Sequence, residues 1–136
     1  MDSSARAQQD QQRLGWYQQA KFGLFIHWGA YSVAGVEASW PIMTPQMSEV
    51  IFDTQISIEE NEYVKLPARF NPVDFDPHAW VQLAQEAGMR YIVITSKHHD
   101  GFCMFDAPGT EYKITNTPYG KDICLELAHA CHRVGM

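Results

Sequence analysis

The stretch Tyr91-Ile92-Val93-Ile94-Thr95-Ser96-Lys97-His98-His99-Asp100-Gly101-Phe102-Cys103-Met104-Phe105 decides the architecture. It begins as a run of β-branched and aromatic residues and turns polar at Lys97, His98, His99 and Asp100. An apolar run this short, bounded by polar residues and a glycine, predicts a strand buried on both faces. The cation, the two imidazoles and the carboxylate that follow are costly to bury without partners. They belong where the strand leaves its sheet and meets solvent or a ligand, and ligands of parallel α/β sheets bind at the carboxyl ends of strands. From this segment alone, a solvated loop rich in histidine would read the same way.

A second stretch repeats the pattern. Lys21-Phe22-Gly23-Leu24-Phe25-Ile26-His27-Trp28-Gly29 is another apolar strand ending in a histidine. Asp76-Pro77 opens a helix, with Asp at the N-cap and Pro at the first helical position. Trp80, Leu83, Ala84 and Ala87 follow at helical spacing, and Gly88 supplies the stop. A second helix is predicted from about Asp122 to Val134, with Ile123, Leu127, Ala130, Cys131 and Val134 on one side and Gly135 at its end. Leu14 to Ala20 reads as a short helix near the sheet. Met1 to Gln12 reads as a frayed tail or the start of a polar helix. The segment from Gly29 to Phe75 is long for a connection, and long connections are usually functional. It carries Gly35-Val36-Glu37-Ala38-Ser39-Trp40-Pro41 and a short helix in which Ser57 and Glu60 have capping-box spacing ahead of Tyr63, Val64 and Leu66. Strand, loop, helix, strand, loop, helix is the order of an α/β protein with a parallel sheet.

Composition narrows the function classes. The 136 residues carry a formal net charge of -6 and are 46% apolar. That is globular composition with no Lys/Arg stripe, which argues against nucleic acid and anionic membrane as partners. No apolar run approaches the roughly 20 residues that span a bilayer, and the start lacks the apolar core of a secretory signal. The three cysteines make no disulfide framework: Cys124 and Cys131, seven apart on one helix, lie about 10 Å apart. All three cysteines read as small buried residues, and no metal or cofactor is assigned. The chain divides into a polar N-terminal tail, 1–13, and one domain portion, 14–136. Two buried parallel strands cannot satisfy their own edges, so the expectation is an incomplete domain that stops where a third strand would begin.

Lys21 to Gly29, Phe75-Asp76-Pro77 with Trp80, Lys97 to Phe102, and Thr117-Pro118-Tyr119-Gly120-Lys121-Asp122 together carry a resemblance. From about Trp16 to Gly135 the chain resembles the N-terminal part of the α-L-fucosidases of glycoside hydrolase family 29. The resemblance implies a (β/α)8 TIM-like barrel, of which this chain holds the first two β/α units, usually followed by a C-terminal β-sandwich. It implies retaining hydrolysis of terminal α-L-fucosides, with a fucosylated glycan or glycoconjugate as substrate and a secreted, periplasmic or lysosomal setting. The histidines matching His27, His98 and His99 line the family's fucose pocket. A Glu-Trp element of the first long loop corresponds to Glu37-Ala38-Ser39-Trp40, where two residues separate Glu37 from Trp40 and shift the carboxylate. The family's nucleophile is an Asp at the end of a later strand, and its acid/base carboxylate also lies further on. Both are expected beyond Met136, so no residue of this chain is assigned as catalytic. Self-association of the full-length protein is left open.

The residue types suit a sugar. Neutral imidazole presents one donor and one acceptor on a rigid ring, which matches a hydroxyl that does both. Trp28 or Trp40 can supply an apolar wall, although Trp28 can equally pack beneath the site. Adjacent residues near a strand end point in opposite directions. His98 and His99 therefore face one ligand together only if the chain turns there, and Asp100-Gly101 favours such a turn. Asp100 reads as a turn or supporting group, Lys97 and His78 as structural, His129 and His132 as solvated. Two other readings compete: a non-catalytic sugar-binding protein, and a metal-dependent hydrolase on a barrel. The second fits poorly, because metal sites on strands want ligands at i and i+2.

Overall fold

A computed structural model describes residues 3–42 and 58–136, with backbone alone for residues 3–8. In chain order the main elements are α1 (Ser3–Ala20), β1 (Leu24–Ile26), α2 (Glu60–Tyr63), α3 (Pro77–Glu86), β2 (Ile92–Ile94) and α4 (Ile123–Arg133). Short 3-10 turns lie at Ala30–Ala34, Trp40–Ile42, Leu66–Arg69 and Ile114–Asn116. β1 and β2 pair in parallel, with Leu24 opposite Ile92, Phe25 opposite Val93 and Ile26 opposite Ile94. The chain is a small α/β unit. Its strands are shorter than the apolar runs that encode them, but the pairing extends past their ends. Arg90 N–H donates to Phe22 O at 2.8 Å, and Thr95 N–H to Ile26 O at 2.9 Å.

The N-terminal residues take the helical reading, since α1 begins at Ser3. The chain is exposed from 9 to 14, and α1 docks through Trp16 and Tyr17, whose rings lie 6.3 and 5.2 Å from the Tyr91 ring. In the long connection, α2 starts at Glu60 with Glu59 at its N-cap and no side-chain cap. The Ser57 half of the expected capping box lies outside the described residues.

α3 starts as its sequence dictates. Asp76 Oδ1 accepts from His78 N–H at 2.9 Å and Ala79 N–H at 3.1 Å, satisfying donors that the helix leaves unpaired. Replacing Asp76 with Ala removes both bonds and is expected to lower stability by about 1 kcal/mol; urea denaturation with an unchanged midpoint would contradict it. α4 uses the same device, Asp122 Oδ1 accepting from Leu125 N–H at 2.8 Å. Past α3, Gly88 takes the left-handed conformation at φ 80° that glycine adopts without penalty.

Two clusters make the core. The smaller joins Val81 of α3 to Leu127 and Ala130 of α4, with Ile26, Ile92 and Ile94 packed against them. The helices therefore cover one face of the sheet. The other face carries Phe25 and Val93, 67% and 40% exposed, which corrects the expectation of strands buried on both faces. α3 likewise buries Val81 and Ala84 rather than Leu83, which is 65% exposed, and Val134 of the α4 stripe is also exposed. The larger cluster is built mostly from the long connections: Tyr31, Tyr63, Leu66, Phe70, Phe102, Met104, Ile114 and Ile123. Trp28 packs with Phe70, Phe75 and Trp80 at ring separations of 5.6, 5.5 and 5.3 Å, so it serves as packing beneath the strand end. Cys103 is buried, Cys124 and Cys131 are half-buried, and all three thiols are free.

Candidate functional site

His27 follows β1 directly, and the segment after β2 turns at once. Gly101 N–H donates to His98 O at 3.0 Å, closing a turn over His99 and Asp100, and Gly101 sits at φ 78°. That turn decides the question left open for the histidine pair. The rings of His98 and His99 meet edge to face at 4.8 Å. Both meet Trp40, at 5.0 and 5.4 Å, and His27 lies 5.0 Å from His98. Four of the five residues singled out in the sequence thus converge at the carboxyl ends of two parallel strands. His27 is exposed, His98 half-buried and His99 exposed, so the cluster faces solvent on one side.

Asp100 braces the turn. Its Oδ1 accepts from Phe102 N–H at 3.0 Å, and its Oδ2 accepts from the Tyr63 hydroxyl at 2.7 Å. Tyr63 is fully buried. Burial first, and the Asp100 carboxylate second, hold its phenol far above the usual tyrosine range. The tyrosine is therefore a fixed hydrogen-bond donor at any working pH.

Trp40 reaches the cluster through a reversal at Ala38. This non-glycine residue is buried and sits at φ 52°, a left-handed conformation that costs energy unless its surroundings hold it. The reversal sends neighbours opposite ways: Glu37 is exposed, while Ser39 is fully buried. Among the described residues Glu37 makes no hydrogen bond or ion pair, so it does not join the four.

Two site residues escaped the sequence reading. The Ser39 hydroxyl is bonded to Nδ1 of His98. Tyr31 is buried with its ring 5.6 Å from His27 and 5.9 Å from His98. Its hydroxyl is buried without a hydrogen-bond partner among the described residues. The available signal was proximity in sequence: Ser39 adjoins Trp40, and Tyr31 follows His27 by four. Gly29 makes room for the Tyr31 ring, because a Cβ there would lie 2.5 Å from it. Its backbone is extended, so the requirement is space and not conformation. Gly29→Ala is expected to cost about 1–3 kcal/mol by overpacking; a thermal melt matching the parent would contradict it.

His98 titrates below the ordinary histidine value of 6.5, through burial first and then the neighbouring His27 and His99, with Asp100 opposing. Its neutral form is thus favoured in the fold. As pH falls below about 6.5 the unfolded chain takes up this proton while the folded one resists, so stability falls until the folded value is passed. His98→Gln removes that part of the acid-side loss. Urea midpoints compared from about pH 7.5 to 5 should show the parent losing stability relative to the variant as pH falls; parallel curves would contradict the shift.

Among the described residues, no group of three or more His, Cys, Asp or Glu side chains is arranged to hold a metal ion. No helix among them is long and apolar enough to cross a membrane.

The α-L-fucosidase family profile matches residues 2–136. The α-L-fucosidase of Dictyostelium discoideum is 31% identical over 133 residues, covering 90% of this chain and 29% of the relative. The solved α-L-fucosidase isoenzyme 1 of Paenibacillus thiaminolyticus superposes with a TM-score of 0.74 at 40% identity, over 93% of this chain and 27% of that one. An AlfC α-L-fucosidase variant of Lactobacillus casei, solved with Fuca(1,6)GlcNAc, superposes at 0.71 and 40% identity, over 90% and 38% of the two chains. The chain thus spans less than two-fifths of each of these relatives. Over nearly its whole length it belongs to the α-L-fucosidase family.

Proposed function

We propose that the chain is the fucose-binding first part of a retaining α-L-fucosidase acting on fucosylated glycans. The convergence of His27, His98, His99 and Trp40 at the strand ends supports this best. The three imidazoles offer donors and acceptors to the ring hydroxyls. The Trp40 face suits the apolar side of the sugar, while Glu37 is exposed and does not join the cluster. The Lactobacillus relative's complex with Fuca(1,6)GlcNAc supports a fucosylated glycan as substrate.

The same reading makes 14–136 the opening of a (β/α)8 catalytic domain, with 1–13 preceding it. In such a barrel alternate strand residues face the helices and the barrel interior. Ile26, Ile92 and Ile94 face the helices here. Phe25 and Val93, exposed in this chain, are then interior residues. His27, two residues beyond Phe25, shares its side, and the two rings lie 6.4 Å apart. That puts His27 at the barrel mouth. Retaining hydrolysis needs two carboxyl groups about 5–5.5 Å apart, and these are assigned to the part of the enzyme after Met136.

The test is kinetic. In the full-length protein, His27→Ala and His98→Ala should each weaken sugar binding by about 0.5–1.5 kcal/mol, and lower turnover further where the bond tightens in the transition state. His27→Ala should change thermal stability little, whereas His98→Ala also strands the buried Ser39 hydroxyl and should lower it. Unchanged kinetics in both variants would show that these histidines do not touch the sugar.

A further inference from the structure

Ser39 is fully buried, and its hydroxyl has a single hydrogen-bond partner among the described residues, Nδ1 of His98. Two arrangements of that pair are chemically allowed. If Nδ1 carries the proton, it donates to the serine oxygen, and the serine's own proton faces no acceptor among the described residues. A buried donor left unpaired is costly. If the serine donates, both groups are satisfied, and the neutral imidazole carries its proton on Nε2. Nε2 has no hydrogen-bond partner among the described residues, and His98 is only half-buried. The strained, buried Ala38 fixes the chain direction that puts Ser39 beneath His98. Burial and the flanking imidazoles of His27 and His99 disfavour a second proton on the ring, against the pull of Asp100.

We propose that Ser39 is a positioning residue: its hydroxyl donates to Nδ1 of His98, fixes the Nε2–H tautomer, and makes His98 a hydrogen-bond donor to an acceptor oxygen of the sugar. This rests on the reading of His98 as a sugar contact. Ser39 itself touches no ligand in this scheme. Its effect passes through the ring it holds, so the sugar atom opposite His98 must be able to accept.

The tautomer is directly observable. Nitrogen-15 NMR of histidine-labelled full-length protein reports which ring nitrogen carries the proton, and calorimetry gives the affinity for α-L-fucose. The wild-type protein is expected to show His98 as the Nε2–H tautomer. Ser39→Ala is expected to mix the two tautomers and to weaken fucose binding about three- to tenfold. A wild-type His98 found protonated on Nδ1 overturns the proposal, and that measurement needs no variant to fold. A Ser39→Ala protein with unchanged tautomer and affinity overturns it too. If His98→Ala lowers affinity in that case, the role of Ser39 falls alone. If His98→Ala binds fucose as well as the parent, the sugar-contact reading falls, and the proposal with it.

Discussion

Purified alone, the 136-residue chain is expected not to turn over an aryl α-L-fucoside above the buffer blank. A retaining glycosidase needs a nucleophilic carboxylate and an acid/base carboxyl group about 5–5.5 Å apart across the scissile bond. The carboxylates near the imidazole cluster are committed elsewhere. Both Asp100 oxygens are taken, by the Tyr63 hydroxyl and Phe102 N–H. Glu37 stands on the solvent side of the Ala38 reversal. Asp106 is exposed and pairs with Lys113 at 2.8 Å and Thr115 at 3.2 Å. Hydrogen bonds from imidazoles can hold a sugar but cannot replace a nucleophile. The isolated chain is also expected to self-associate. Phe25, Leu83, Trp80 and Ile26 line an open apolar groove of about 370 Å³, and among the described residues β1 pairs only with β2. A second groove, of about 400 Å³, runs along Tyr91, Ile92, Leu127 and Cys131. Uncovered apolar surface of this kind drives association, which sedimentation velocity would show. The activity assay pairs the chain with a full-length relative. Turnover comparable to the relative's and surviving repurification would place the catalytic pair among Glu37, Asp100, Asp106 and their neighbours, and would overturn the assignment of catalysis to later sequence.

The local signals in the sequence were dependable where the chemistry is local. Asp76 caps the helix that Asp76-Pro77 was expected to open, and the second helix begins at Asp122 as expected, because an N-cap bond spans only two or three residues. The two strands pair in parallel as the element order requires. What misled was the choice of face. On α3, both Trp80-Leu83-Ala84-Ala87 and Val81-Ala84 satisfy helical spacing, and only the position of the sheet selects Val81. An apolar run such as Phe22 to Ile26 encodes burial on two faces, whereas a lone pair of helices covers one.

The site shows the same division. Histidines at two strand ends and a turn-forming Asp100-Gly101 were readable, and they converge. Ser39 and Tyr31 were not. Their placement depends on the left-handed Ala38 and on the gap at Gly29 that admits a ring. Alanine carries no preference for φ 52°; tertiary packing imposes it, and no pattern in the neighbouring sequence announces it. The Tyr63–Asp100 bond joins residues 37 apart in sequence, again beyond any local signal.

That bond carries the second large expected effect. Asp100→Ala removes the acceptor of a fully buried tyrosine hydroxyl and the oxygen that ties Phe102 N–H across the turn. Stranding a buried donor costs about 1–3 kcal/mol and losing the turn bond about 1 more, so the full-length protein should lose about 2–4 kcal/mol. Tyr63→Phe deletes the donor instead and leaves the Asp100–Phe102 bond in place, so it should cost less, about 1–2 kcal/mol. The two groups touch, so the double variant should fall short of the sum of the singles by about 1 kcal/mol or more. Glu62→Ala is the contrast: its ion pair with Lys65 is exposed on both sides, and its loss should change stability little. A functional trace should accompany the loss. The turn that Asp100 braces carries His98 and His99, so Asp100→Ala should weaken fucose binding even at temperatures where the protein stays folded. Strict additivity of the single variants in urea denaturation would show that Tyr63 and Asp100 do not act as a pair. Parent-like fucose affinity in a folded Asp100→Ala protein would show that the turn holds its two imidazoles without this carboxylate.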